Sequence, residues 1–197
     1  DTYQKILAEA IEELKENEFK ELYDEVEGPH DKVFVKDTQI DSDFELLFPD
    51  DYINNITERL NLYTELNLIK EEEDLQKFES ELIDRFGELP TQVVDLLNSV
   101  RIKWIANRIG LEKVVMKKGK LIGYFIAEQE SAFYQSKTFT EVLQFVQTHA
   151  NICRMKEKQT RNGLRLLLTF DNIVSVENAL YALRPLDRTV QVNHWLY

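Results

Sequence analysis

Glu81-Leu82-Ile83-Asp84-Arg85-Phe86-Gly87-Glu88-Leu89-Pro90 sits near the middle of the 197-residue chain and decides how the segments around it are read. On a helix, Leu75, Phe78, Leu82 and Phe86 recur at spacings of three and four and fall on one stripe. Glu73, Lys77, Glu81 and Asp84 fall on the opposite stripe. Gly87 suits the left-handed residue that ends a helix, and Pro90 suits the first turn of the next. The stretch therefore reads as a helix from about Glu71 to Phe86, apolar behind, acidic in front and closed by a sharp corner. An acidic front is either a solvated surface or a docking face for a basic partner, and the pattern does not choose between them.

Upstream, Asp50 or Asp51 is the expected cap of a helix with Ile53, Ile56, Leu60, Tyr63 and Leu66 on its buried side. Downstream, Pro90 to Ile109 predicts a third helix ended by Gly110, with Val93, Leu97, Val100 and Trp104 toward the core. Short connections make these three helices antiparallel neighbours. After Gly110 the pattern changes. Leu111 to Lys117 and Leu121 to Ala127 are β-rich and flank Lys118-Gly119-Lys120, a hairpin signal. Thr138 to Ala150 reads as a helix capped by Ser136 or Thr138, with Phe139, Val142, Leu143 and Val146 inward. Ile152 to Lys158 and Leu164 to Phe170 predict a second hairpin around Asn162-Gly163, and Ile173 to Leu183 a last helix stopped by Arg184-Pro185. The tail from Leu186 to Tyr197 is left open, packed on this lobe or free.

Before the central block, Tyr3, Ile6, Leu7, Ala10, Ile11 and Leu14 make an amphipathic helical stripe that Gly28-Pro29 breaks. Lys32 to Lys36 reads as a short strand, and Asp37 to Asp51 as an acidic loop. The expected fold is α+β: an N-terminal helical segment and a three-helix layer packed with a small antiparallel sheet lobe of two β-hairpins and two helices. Strand–strand–helix occurs twice in that lobe, which suggests a weak internal duplication.

Apolar content of 43% is ample for a core and too rich for disorder. A single cysteine, Cys153, allows no internal disulfide and reads as a small core residue. With no signal peptide and no long apolar run, the expected setting is cytoplasmic, without a membrane. The start at Asp1 suggests a piece of a longer protein. The net charge of −12 is uneven: residues 1–100 hold 9 Lys+Arg against 28 Asp+Glu, and residues 101–197 hold 15 against 8. The acidic half repels a phosphate backbone; the basic half either attracts one or balances its neighbour within one fold.

Signals for chemistry are missing. No phosphate-cradling Gly-x-x-x-x-Gly-Lys-Ser/Thr loop, no Gly-x-Gly-x-x-Gly and no Gly-x-Ser-x-Gly elbow occurs. His30, His149 and His194 lack ligand spacing. Asp37, Asp41, Asp43 and Glu45 imitate a calcium loop but lack its bend glycine and its twelfth-position glutamate. Lys117, Lys118 and Lys120 with Tyr124 suit either a nucleic-acid contact or ordinary edge protection. The reading is therefore no independent enzyme, no cofactor and no metal. A carboxylate-based enzyme and a nucleic-acid-binding module of the basic half are the competing classes.

Three blocks carry a family resemblance: Phe48-Pro49-Asp50-Asp51-Tyr52-Ile53, then Arg59-Leu60-Asn61-Leu62-Tyr63, then the decapeptide Glu81 to Pro90. In this order and spacing, they resemble the C-terminal domain of the bacterial transcription-repair coupling factors, the Mfd family, over about residues 30–185. Asp1 to Leu14 is similar to the segment leaving that family's RecG-like translocase motor. The resemblance implies residues 1–28 as a helix trailing from the motor, and 29–197 as a regulatory domain. It further implies a parent that is an ATP-driven double-stranded DNA translocase, removing stalled RNA polymerase and recruiting UvrA. In that family the C-terminal domain folds onto the N-terminal UvrB-like module, hides the UvrA-binding surface and restrains the motor. Glu81 and Asp84 are implied as the intramolecular contacts to arginines on that module. Pro49, Tyr52, Arg59, Tyr63, Arg85, Phe86, Gly87 and Pro90 are implied structural anchors, Arg85 as an ion-pair residue and Phe86 in the core. The long acidic loop and the basic hairpins depart from the family. The fragment alone is expected to be monomeric.

Overall fold

The computed structural model describes residues 34–195, with side chains through residue 187. The expected helix within residues 1–28 lies outside the described residues, as do Lys32 and Val33 of the expected first strand. The fold is α+β. Its elements are β1 (Gln39–Ser42), α1 (Ile56–Leu68), α2 (Glu72–Phe86), α3 (Thr91–Ile109), β2 (Leu111–Lys117), β3 (Lys120–Phe125), α4 (Lys137–Thr148), β4 (Cys153–Thr160), β5 (Gly163–Phe170) and α5 (Val176–Trp195). A short 3-10 turn at Ala132–Gln135 precedes α4.

Two cores form. Phe48, Ile53, Leu62, Leu66, Leu75, Phe78, Leu82, Val93 and Leu97 close the three-helix layer. Leu111, Val114, Met116, Leu121, Phe125, Leu168 and Phe170 present the inner face of the sheet to α3, α4 and α5. Helix α3 serves both, with Val93, Leu96 and Leu97 in the first core and Ile102, Ile105, Ala106 and Ile109 in the second. Arg108 on α3 and Asp187 on α5 exchange two hydrogen bonds, of 2.8 and 3.0 Å.

The sheet runs β1-β2-β3-β5-β4 and is mixed, because β1 lies parallel to β2. This corrects the purely antiparallel lobe expected. Phe34–Lys36, the described part of the expected first strand, form no strand, and β1 lies instead in the segment expected to be an acidic loop. Phe34 packs on Phe133 and Val35 enters the core without a ladder. Thr38, fully buried, donates to the Leu111 carbonyl at 2.7 Å and so sets Gln39–Ser42 beside Lys113–Met116. A polar edge strand of this kind gives little periodic signal and resists edge-to-edge pairing.

Three further expectations shift. Helix α1 starts at Ile56, capped by Asn55, and not at Asp50 or Asp51. The Tyr52 and Ile53 amides bond the Pro49 carbonyl at 3.1 and 3.0 Å, so Ile53 reaches the core from a turn. The helix behind it is rotated, burying Leu62 and Leu66 and exposing Ile56 and Leu60. The second hairpin pairs Thr160 with Gly163, which centres its turn on Arg161-Asn162, with Gly163 at φ +110°. Helix α5 continues through Pro185 to Trp195 and does not stop at Arg184. An interior proline costs about 3 kcal/mol. Burial of Leu183 and Leu186 on either side, with the Asp187–Arg108 pair, outweighs it. The hairpin at Lys118-Gly119 has both residues at positive φ, the twist a two-residue loop requires. Of the two candidate caps for α4, Ser136 is the one that accepts from an amide, that of Phe139.

Gly110 ends α3 at φ +89°, and a Cβ there would overlap the fully buried Phe133 ring. Gly119, at φ +75°, has open space around it. Gly110→Ala is therefore expected to destabilise by about 2–4 kcal/mol, from backbone strain and overpacking together. Gly119→Ala is expected to cost only about 1–2 kcal/mol, from strain alone. Urea unfolding of the two variants measures the difference.

Candidate docking face

Helix α2 is a rod braced at both ends. Glu72, Glu73 and Asp74 occupy its first turn, where the helix dipole favours negative charge. Arg101 of α3 grips Glu72 through three hydrogen bonds of 2.8 to 3.1 Å. Those bonds, with the nearby Arg101 and Arg184 charges, hold the Glu72 carboxyl below the ordinary glutamate range.

The other end is built by the resembling blocks. Gly87, at φ +91°, closes α2 by returning its amide to the Ile83 carbonyl at 2.9 Å. The Tyr52 hydroxyl lies 2.8 Å from the Gly87 carbonyl and 3.2 Å from the Leu82 carbonyl. Its ring packs on Phe86 at 5.7 Å, and partial burial raises the hydroxyl's pKa. Arg85 lies over the Phe86 ring at 4.7 Å and pairs with Glu58 of α1. Arg59 donates to the Ile53 carbonyl at 2.6 Å and pairs with Asp50 at 3.4 Å. The Phe48 amide donates to the Tyr63 hydroxyl at 2.8 Å. Pro90 opens α3, its carbonyl accepting from Val93 and Val94 at 3.0 and 3.1 Å.

Glu81 and Asp84 stand on the outward side of this rod. Both are exposed, and neither side-chain carboxylate makes a hydrogen bond or ion pair with another described residue. Phe86 is half-buried against Tyr52, at the margin of the core. Ile83 is 45% exposed between the two acids in sequence. Its apolar contribution to the outer surface was not anticipated, although its position off the Leu75–Phe86 stripe was a usable signal. The brace residues Glu58 and Arg101 were not anticipated either, and no local pattern marks them. Among the described residues, no group of three or more His, Cys, Asp or Glu could hold a metal ion. No helix among them is long and apolar enough to cross a membrane. This face offers charge and shape for binding.

A family model described as the TRCF domain matches residues 42–136, which begin at the last residue of β1 and take in all three helices of the first core and the first hairpin. Over those residues the chain is similar to the TRCF domain. Curated relatives named transcription-repair-coupling factor agree. The Escherichia coli protein is 30% identical over 112 residues, covering 57% of this chain and 9% of its own length. The Staphylococcus epidermidis protein is 29% identical over 177 residues, covering 85% of this chain and 14% of its own length. The Rickettsia prowazekii protein is 27% identical over 139 residues, covering 70% of this chain and 12% of its own length. The chain thus spans about a tenth to a seventh of those relatives. A crystal structure of the C-terminal domain of a transcription-repair coupling factor superposes with a TM-score of 0.60. It covers 79% of this chain and 93% of its own, at 18% identity, and shares the fold.

Glu72→Gln tests the brace. The Glu72 pKa is lowered in the folded state, so its stabilisation is present above the unfolded glutamate value and is lost as pH falls through the lowered one. The variant is expected to lose about 0.2–1 kcal/mol at pH 7, the range for an exposed pair. Chemical denaturation at pH 7 and pH 3 should show the deficit shrinking in acid.

Proposed function

We propose that this chain is the regulatory, autoinhibitory C-terminal domain of an ATP-dependent DNA translocase that couples transcription to nucleotide excision repair. It docks through α2 on the N-terminal UvrB-like module of the same polypeptide, masks the UvrA-binding surface there and restrains the motor. RNA polymerase, UvrA and double-stranded DNA are partners of the cytoplasmic parent. The fragment itself performs no catalysis. The observation that carries this reading is the pair Glu81 and Asp84, exposed on a braced helix and unpaired within the described residues. Their spacing of three puts both carboxylates within reach of one basic surface. The match of residues 42–136 to the TRCF domain model and the similarity to named coupling factors support the assignment of the parent.

The energetics suit a latch. An exposed ion pair contributes only about 0–1 kcal/mol, so two of them make a contact that a competing partner displaces. Tethering raises the effective concentration to about the millimolar range, which holds such a contact closed at rest. Ile83 adds apolar area beside the acids, and its exposure before docking leaves that area to be buried.

Glu81→Arg with Asp84→Arg is expected to leave the fold intact, with stability within about 0.5 kcal/mol of the parent, because both positions are exposed. Binding of the fragment to the isolated N-terminal module should be lost. In the full-length protein UvrA affinity and basal ATPase should both rise. If UvrA affinity and ATPase stay at wild-type levels in a folded double variant, the latch does not exist.

A further inference from the structure

The sheet has a second face. In the register of the strands, Val114, Gly123, Leu168 and Met155 form one cross-strand row, and they point toward the helices. The adjacent row therefore points away: Lys113, Tyr124, Leu167 and Lys156, one residue from each of β2, β3, β5 and β4. The next outward pair along β4 and β5 is Lys158 with Arg165. Tyr124 and Leu167 belong to neither hydrophobic core cluster of the described residues; Leu167 is buried, at 6% exposure, while Tyr124 and Lys113 are partly exposed.

The chemistry of the row is specific. Tyr124 lies at its centre, partly exposed. The Lys113 ammonium is 5.8 Å and the Arg165 guanidinium 5.5 Å from its ring centroid. Arg165 is tied to Glu112 at 3.6 Å, which fixes the guanidinium beside the ring. Lys113, Lys156 and Lys158 have no acidic partner within ion-pair distance among the described residues. Lys156 and Lys158 are exposed. Three steps between neighbouring strands separate Lys113 from Lys156, about 14 Å at a spacing of ~4.8 Å. Unpaired cations held at both ends of a partly exposed aromatic are poor neighbours for one another and good neighbours for a run of phosphates.

We propose that this outer sheet face binds single-stranded nucleic acid, with phosphates on Lys113, Lys156 and Lys158 and a base against Tyr124. The argument is charge complementarity joined to an aromatic surface. A strand crossing the sheet meets a cation at either end and a ring midway. A duplex keeps its bases stacked inside and leaves the ring without a partner, so the platform favours a single strand. The docking helix α2 belongs to the other core, so this surface is independent of the latch.

The test uses the whole 197-residue chain with fluorescein-labelled dT20, and a 20-base-pair duplex of the same length. Anisotropy at 25 to 200 mM salt is expected to show binding of dT20 tighter than the duplex. Lys113→Glu with Lys156→Glu should abolish it. Lys113→Gln with Lys156→Gln should flatten the log–log salt slope by about 1.4, the loss of two phosphate contacts to a single strand. Tyr124→Leu should weaken dT20 by about tenfold, with Tyr124→Phe near wild type. Arg161→Glu, in the distal β4–β5 turn, should leave affinity within about twofold, and unfolding midpoints confirm that each variant folds. No binding at 25 mM salt overturns the proposal. So does duplex binding equal to dT20 with no effect of Tyr124→Leu. Capture of a peptide of residues 1–27 in place of dT20 assigns the face to this chain's own acidic segment and equally overturns it.

Discussion

The Tyr52 hydroxyl within hydrogen-bond reach of the last turn of α2 is the contact on which the first core's outward geometry depends. A helix C-terminus leaves carbonyls without intrahelical partners, and a frayed last turn would let Asp84 and Glu81 wander. Here the Leu82 and Gly87 carbonyls face one phenol, whose ring is wedged on Phe86. Arg85 closes the same corner from the other side, through Glu58 and over the Phe86 ring. Gly87 makes the geometry possible, since its φ of +91° is one that side chains rarely adopt. Exposed carboxylates on such a rod lose less side-chain freedom on docking than they would on a loop.

How much of this was legible in the sequence depended on where the partner of each residue lay. Helix α2 was plain because its period is clean and its ends carry local punctuation. The first hairpin was plain for the same reason, with Lys118-Gly119 supplying the turn. The roles of Tyr52 and Glu58 were not, because the groups they hold are 27 to 35 residues away. The family resemblance flagged Tyr52 and Arg85 as anchors, but only the geometry says what they anchor. β1 escaped because its Gln39-Ile40-Asp41-Ser42 run is polar and its ladder is set by Thr38 reaching a distant carbonyl. The stripe of α1 was misphased because Ile53 reaches the core from a turn, so the count from it into the helix carried the wrong rotation. Pro185 reads as a stop in any window, and only tertiary burial of its neighbours overrides it.

The uneven charge of the chain takes a spatial form. The acidic surface is carried by α2 on one core, and the unpaired lysines by the outer sheet face on the other. The net charge of −12 therefore understates what a local partner meets on either side. Several acids do cross to steady the basic lobe: Asp41 pairs with Lys117, and Asp171 with Arg154 and Lys120. The Arg154 contact, then the Lys120 and Lys156 charges, hold the Asp171 carboxyl below its ordinary range.

Helix α3 gives its first half to one core and its second half to the other. No flexible joint lies between those halves, so the two lobes share a spine. A force applied at the corner of α2 has no hinge there in which to dissipate, and the sheet must travel with it. On release from a docked surface the two cores would therefore move together, as a single lever.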